Sequence, residues 1–237
     1  MIKGFIGTSL IDYPDKIAAV VFYGGCNFRC PYCQNTSLVS EEKLQWMPEI
    51  EEEEIVNKIS NRAGFIDGVV FSGGEPTLYG DSLSRIMTQI KTMQTCHMLK
   101  IKLDTNGSNP GVLKQLLEKN LLDFVAMDIK TSSNRYDEIT GFPQSLTRIN
   151  QSIELLKYSS IDYEFRVTVV PTVITQSTLV EIAEKIKDAR KLVLQQFRPK
   201  NTLDTSFQAI QPYTNQEIYH MADIIRSSFP FEVIVRT

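Results

Sequence analysis

Apolar residues recur along this chain in two alternating rhythms. Short continuous runs, IAAVVFYG (17–24), DGVVFSG (67–73), LKIKLDT (99–105), DFVAMDIK (123–130), YEFRVTVV (163–170) and KLVLQQF (191–197), form the first. Between and after them lie segments with apolar positions every three to four residues, near 49–62, 80–94, 110–119, 147–158, 176–188 and 214–228. The runs predict strands buried on both faces, and the longer rhythm predicts the helices that cover them. Strict alternation of the two predicts an α/β fold of parallel strands joined by crossover helices. Right-handed crossovers would curl six such units into a partial, open (β/α)6-type barrel, with FEVIVRT as an extra C-terminal strand.

Helix punctuation supports the same order. Pro48 suits a first helical position, and Thr214 followed by Glu217 reads as a capping box. The run Glu51–Glu54 places carboxylates at the positive end of a helix dipole, the reading preferred here over an acidic docking patch. No Gly/Ser linker, internal repeat or low-complexity tract interrupts the pattern, so a single domain over 1–237 is expected.

Composition narrows the class. At 237 residues, 42% hydrophobic and 22% charged, the chain can bury a full core and is neither disordered nor fibrous. A net charge of -3 argues against a nucleic-acid binder held by electrostatics. No segment approaches the roughly 20 apolar residues of a membrane span, and MIKGFIGTSL lacks the form of a signal peptide. A cytoplasmic protein with no membrane or nucleic-acid partner is expected. Four cysteines in a chain of this length make no disulfide framework, and three of them crowd into one loop, which points to thiolate chemistry.

That loop is GGCNFRCPYCQN, with Cys26, Cys30 and Cys33 spaced C-x3-C-x2-C. Three chemistries compete for it. Structural zinc needs four closed ligands, and the remaining cysteine, Cys96, lies far away beside a predicted strand. A dithiol redox pair, Cys30-Pro31-Tyr32-Cys33, leaves Cys26 idle. A four-iron four-sulfur cluster usually takes four thiolates; held by three, it keeps one iron open for a ligand.

With an aromatic residue just before its third cysteine, this spacing resembles the signature of the radical S-adenosylmethionine superfamily. The resemblance implies Cys26, Cys30 and Cys33 as cluster ligands, and S-adenosylmethionine bound to the open iron and cleaved to methionine and a 5′-deoxyadenosyl radical. Further motifs fall at the carboxyl ends of predicted strands, where open α/β sheets and barrels bind ligands. SGGEP (72–76) resembles the family's glycine-glycine-glutamate motif, which implies Gly73, Gly74 and Glu75 at the amino group of S-adenosylmethionine. DTNG (104–107) implies Asp104 as an amino-group or cation contact, with Asn106 beside it, though an Asx turn accounts for it equally well. DIK places Lys130 at the ligand's carboxylate. Arg166 suits a carboxylate or an ion pair with Asp12, and the resemblance implies Gln196 or Arg198 at the ribose. Tyr32 and the backbone around Cys33 and Gln34 are implied at the adenine; Asn35 also matches the family pattern. Cys96, His97 and His220 have no accompanying motif and take no assigned role.

Together, SLIDYPDKIAAVVFYGGCNFRCPYCQN, FSGGEPTL, LDTNG, DFVAMDIK, DYEFRVTVVPT and LQQFRP resemble the glycyl-radical-enzyme activating group, and within it the anaerobic ribonucleoside-triphosphate reductase activating proteins. The likeness implies a protein substrate, a glycyl radical enzyme, and an electron donor such as flavodoxin or ferredoxin. Gln34 stands where many activating enzymes carry histidine, and Asp15 where glycine is common. Two other readings remain at this level: a radical enzyme acting on a small heterocycle, and a non-enzymatic iron-sulfur or zinc module.

Overall fold

The computed structural model describes residues 1–237. Eight strands form one sheet in the order β1 to β8, with no pairing between the first and the last, so the barrel stays open. The strands are β1 (Ile2–Ser9), β2 (Ala18–Tyr23), β3 (Gly68–Gly73), β4 (Lys100–Thr105), β5 (Phe124–Asp128), β6 (Asp162–Val169), β7 (Lys191–Gln196) and β8 (Glu232–Arg236). From β2 onward every neighbouring pair is parallel, as the alternating pattern predicts. The helices are α1 (Thr36–Val39), α2 (Glu41–Leu44), α3 (Glu52–Ser60), α4 (Gly80–Thr92), α5 (Pro110–Glu118), α6 (Tyr136–Thr140), α7 (Ser145–Lys157), α8 (Gln176–Lys185) and α9 (Asn215–Ser228).

Three features depart from the pattern. β1 runs antiparallel to β2, yet its sequence, IKGFIGTS, carries two glycines and no continuous apolar run. It is an edge strand, and pairing with β2 rather than intrinsic preference makes it one. Helix α3 begins at Glu52, so Pro48 lies outside it; Glu52, Glu53 and Glu54 do occupy its first turn. The four- and five-residue helices α1, α2 and α6 are too short to show a helical period. At α9 the capping box forms as expected, with Thr214 and Glu217 bonding reciprocally.

Side chains alternate across each strand and so divide the core. The outer face packs on the helices in a cluster of 54 buried residues. The inner face carries a small second cluster, in which Ala18, Val20, Val70, Phe124 and Ala126 are closed over by Tyr13 from the β1–β2 loop. Toward the carboxyl ends the inner face turns polar: Lys102 and Asp104 on β4, Asp128 on β5, Glu164, Arg166 and Thr168 on β6. No helix is long and apolar enough to cross a membrane.

Candidate functional site

The cysteine loop leaves β2 at the carboxyl rim and is held by backbone bonds from elements far apart in sequence. Gly25 N donates to Leu38 O (2.7 Å), Arg29 N to Thr140 O (2.6 Å), and Leu203 N and Asp204 N to Cys33 O and Pro31 O (3.0 and 2.9 Å). Side chains add two further ties: Tyr32 Oη donates to Lys130 O (3.2 Å) and Asn35 Nδ2 to Gly73 O (3.1 Å). The loop is therefore fixed before any ligand arrives.

All three thiols line one cavity of about 200 Å³, and none is in a disulfide. Burial pushes Cys26 up to about 11 and Cys30 up to about 12, and moves Cys33 in the same direction. These thiols stay protonated until a metal displaces the protons. No group of three His, Cys, Asp or Glu side chains is arranged around a single ion. A cluster presents its irons at separate corners, and an all-thiolate donor set is the one iron-sulfur centres select. The residues present fit such a group.

Of the residues expected from sequence, Tyr32, Gln34, Asn35, Gly73, Gly74, Asp104, Asn106, Lys130 and Arg166 line this same cavity with the cysteines. Close backbone approach explains the glycines. Gly73 has φ +128, and a Cβ there would stand 2.1 Å from Tyr23 O; at Gly74 it would stand 2.0 Å from Gly25 O. Both positions exclude any side chain.

Two expected residues sit elsewhere. Glu75 is fully buried beneath the rim, where its carboxylate accepts from Thr77 N (3.0 Å), Thr77 Oγ1, Thr105 Oγ1 (2.8 Å) and Asn106 N (2.6 Å). It binds the β3 rim to the β4 rim and does not face the cavity. Burial pushes this carboxyl up, against the pull of those donors. The Gln196 side chain lies in a neighbouring cavity and donates to Phe197 O (3.2 Å) and Tyr213 O (3.0 Å). Arg166 pairs not with Asp12, which is bonded by Ser9, but with Asp128 (2.7 Å) and Asp104 (3.2 Å).

That pairing belongs to a buried ionic network that sequence reading left incomplete. Lys102 bonds Asp104, Arg166 bridges Asp104 and Asp128, and Lys130 bonds Asp128 at 3.0 Å. Burial pushes the Asp128 and Asp104 carboxyls up, but the cations beside them more than offset this and hold both below the usual range. Burial likewise pulls the Lys130 ammonium down, and Asp128 more than restores it. Three cations face two carboxylates, so the wall carries one positive charge over and favours an anionic ligand group. Asp128 and Lys102 were the missed members. Their signal was available: Asp128 stands two residues before Lys130 at a strand end, and Lys102 two before Asp104, hence each on the same face as its partner.

The neighbouring cavity, about 470 Å³, adjoins the first across Gln34, Asp104 and Arg166, which line both. It opens between the β1–β2 loop and the ends of β7 and β8, along the unpaired seam. The largest cavity, about 950 Å³, lies between α5 and α7 and holds no comparable set of groups.

A family model described as the radical SAM superfamily matches residues 20–189. A protein of Methanocaldococcus jannaschii provisionally named a glycyl-radical enzyme activating enzyme is 33% identical over 241 residues, spanning 100% of this chain and 96% of that one. The pyruvate formate-lyase-activating enzyme of Clostridium pasteurianum is 28% identical over 200 residues, covering 82% of this chain and 79% of its own. Among solved structures, Streptococcus suis SuiB bound to S-adenosylmethionine aligns over 92% of this chain with a TM-score of 0.66 and 12% identity, which speaks to the fold alone. The chain spans about half the length of that structure.

Proposed function

The chain belongs to the radical S-adenosylmethionine superfamily and, within it, to the glycyl-radical enzyme activating enzymes, and from that premise we propose that it installs a radical on a glycine of an anaerobic ribonucleoside-triphosphate reductase. One observation carries the reading of the site. Three thiols, two glycines without room for a side chain and a cation-rich wall converge from five strand ends on one cavity, beside a second cavity that opens along the seam. A closed pocket would suit a metabolite; a hollow with a long open side suits a segment of another protein.

In this reading Cys26, Cys30 and Cys33 would hold a four-iron four-sulfur cluster beside bound S-adenosylmethionine. Bound and reduced there, the cluster and S-adenosylmethionine would supply the one-electron chemistry needed to abstract a hydrogen atom from a glycine of the partner. Flavodoxin or ferredoxin in the cytoplasm is the expected source of that electron. The protein's own part is placement. Gly73 and Gly74 let backbone carbonyls approach the ligand's amino group, while Lys130 and Arg166, kept cationic by Asp128 and Asp104, face its carboxylate. Tyr32, Gln34 and Asn35, fixed by their bonds to Lys130, Arg198 and Gly73, shape the adenine end. Glu75 acts from beneath by setting the distance between the β3 and β4 rims. No protein acid or base is required, because the difficult step belongs to the cofactor.

The test is to incubate reduced, reconstituted enzyme with S-adenosylmethionine and the reductase carrying Cα-deuterated glycine, then weigh the 5′-deoxyadenosine. Deuterium in the product supports the proposal. Unlabelled product would keep the radical chemistry and transfer the role of substrate to a small molecule.

A further inference from the structure

The β1–β2 loop places Leu10 and Ile11 side by side in solvent, 73% and 89% exposed. Single exposed aliphatics are common on protein surfaces, but two adjacent ones at the lip of a functional hollow call for a partner. Ile11, with Asp12 and Pro14, forms one lip of the seam that leads past Gln196 to Asp104 and Arg166. The tip is also held stiffly. Ser9 Oγ bonds Asp12 and accepts from Ile11 N (3.3 Å); Tyr13 is buried against Phe124, with ring centroids 5.8 Å apart; Ile17 N donates to Asp67 (2.9 Å). The loop therefore does not collapse to hide its apolar pair. A tip ordered in advance loses little freedom on binding.

We propose that Leu10 and Ile11 form the docking element for the glycyl radical enzyme, seating on an apolar patch of its surface while its glycine-bearing segment enters through the seam; this rests on the activating-enzyme reading above. The opposite lip carries Arg198, which is exposed and takes part in none of the molecule's ion pairs. The complementary surface is thus an apolar patch with a carboxylate on the far side of the entering segment. Charge and apolar surface stand on opposite lips, so the pair also sets the direction in which the segment threads. Trp46 and Phe65 are comparably exposed but line no part of the seam. A small substrate would gain nothing from groups outside the hollow.

The experiment compares wild type with the Leu10→Ser/Ile11→Ser double variant. Both positions are exposed, so serine leaves the packing intact. Cleavage of S-adenosylmethionine by the reduced enzyme alone should stay within about twofold, while KM for the anaerobic ribonucleoside-triphosphate reductase, read from glycyl radical formation by electron paramagnetic resonance, should rise about tenfold or more, as for two central interface side chains. Phe65→Ser, an exposed apolar control, should leave KM unchanged. Equal KM values for wild type and double variant, or an equal rise in the Phe65 control, would overturn the docking assignment alone. A wild-type enzyme that cleaves S-adenosylmethionine yet leaves no radical on the reductase would overturn the functional reading, and the docking assignment with it.

Discussion

Cys30 is 5% exposed, and its loop is held by bonds that do not involve its thiol. Cys30→Ala should therefore keep the fold, with unchanged far-ultraviolet circular dichroism, while bound iron and sulfide and the cleavage of S-adenosylmethionine drop to background. Retained cleavage would disprove the cluster assignment. Glu75 presents the opposite case, lying beneath the cavity lining rather than facing the cavity, yet central to its shape. Glu75→Gln turns part of an acceptor-only group into a donor facing the Asn106 or Thr77 N–H, and the buried bond lost should cost about 1–3 kcal/mol, seen as a lower urea midpoint. The cysteines were legible because their spacing is local. Glu75 was legible as a motif but not as a contact, since its partners Thr105 and Asn106 come from another strand and only the folded rim brings them together. The contacts of Gln196 were illegible for a related reason: its Nε2 donates to Phe197 O and to Tyr213 O from a distant segment, while its Oε1 lies buried without a partner.

At the scale of elements, the rim where β2 meets β3 tolerates no added atom. Gly73→Ala meets Tyr23 backbone within 2.1 Å and adopts a strained φ besides. The pair Tyr23–Gly73 must then part, and binding of S-adenosylmethionine, measured by calorimetry, should weaken by about tenfold or more; unchanged affinity would remove the glycines from the site. The network joining β4, β5 and β6 supplies a pH prediction. Asp104 and Asp128 are held below their unfolded-chain values near about 4, so each adds stability that is in full force above that pH and is lost as pH falls through the folded value. Asp128→Asn leaves Lys130 without its partner and Arg166 with Asp104 alone, and should cost about 3–5 kcal/mol at neutral pH. Its urea midpoint should also fall less steeply than that of wild type on acidification; parallel slopes would contradict the assignment. The parallel strands announced themselves through continuous apolar runs, whereas β1 did not, because an edge strand is specified by its neighbour.

At the scale of the whole molecule, chemistry is stratified along the sheet's concave face. Tyr13 and its apolar neighbours close the lower end, the ionic wall occupies the upper end, and the thiols lie at the rim. The curl, the rim and the open side were all expected from the sequence, because crossover connections have a fixed hand and six units make only a partial barrel; the residues that line the seam were not, since Ile11, Gln196 and Arg236 are brought together only by the folded sheet. One continuous sheet and one main core predict a single cooperative melt, with calorimetric and van't Hoff enthalpies in agreement. Two resolved transitions would divide the chain. The unpaired edges of β1 and β8 have a consequence of another kind. A vessel without a complete wall cannot keep a reactive species away from solvent by itself, so the guest that fills the gap must also serve as its stopper: the partner is at once the target of the chemistry and the last piece of the container in which it occurs.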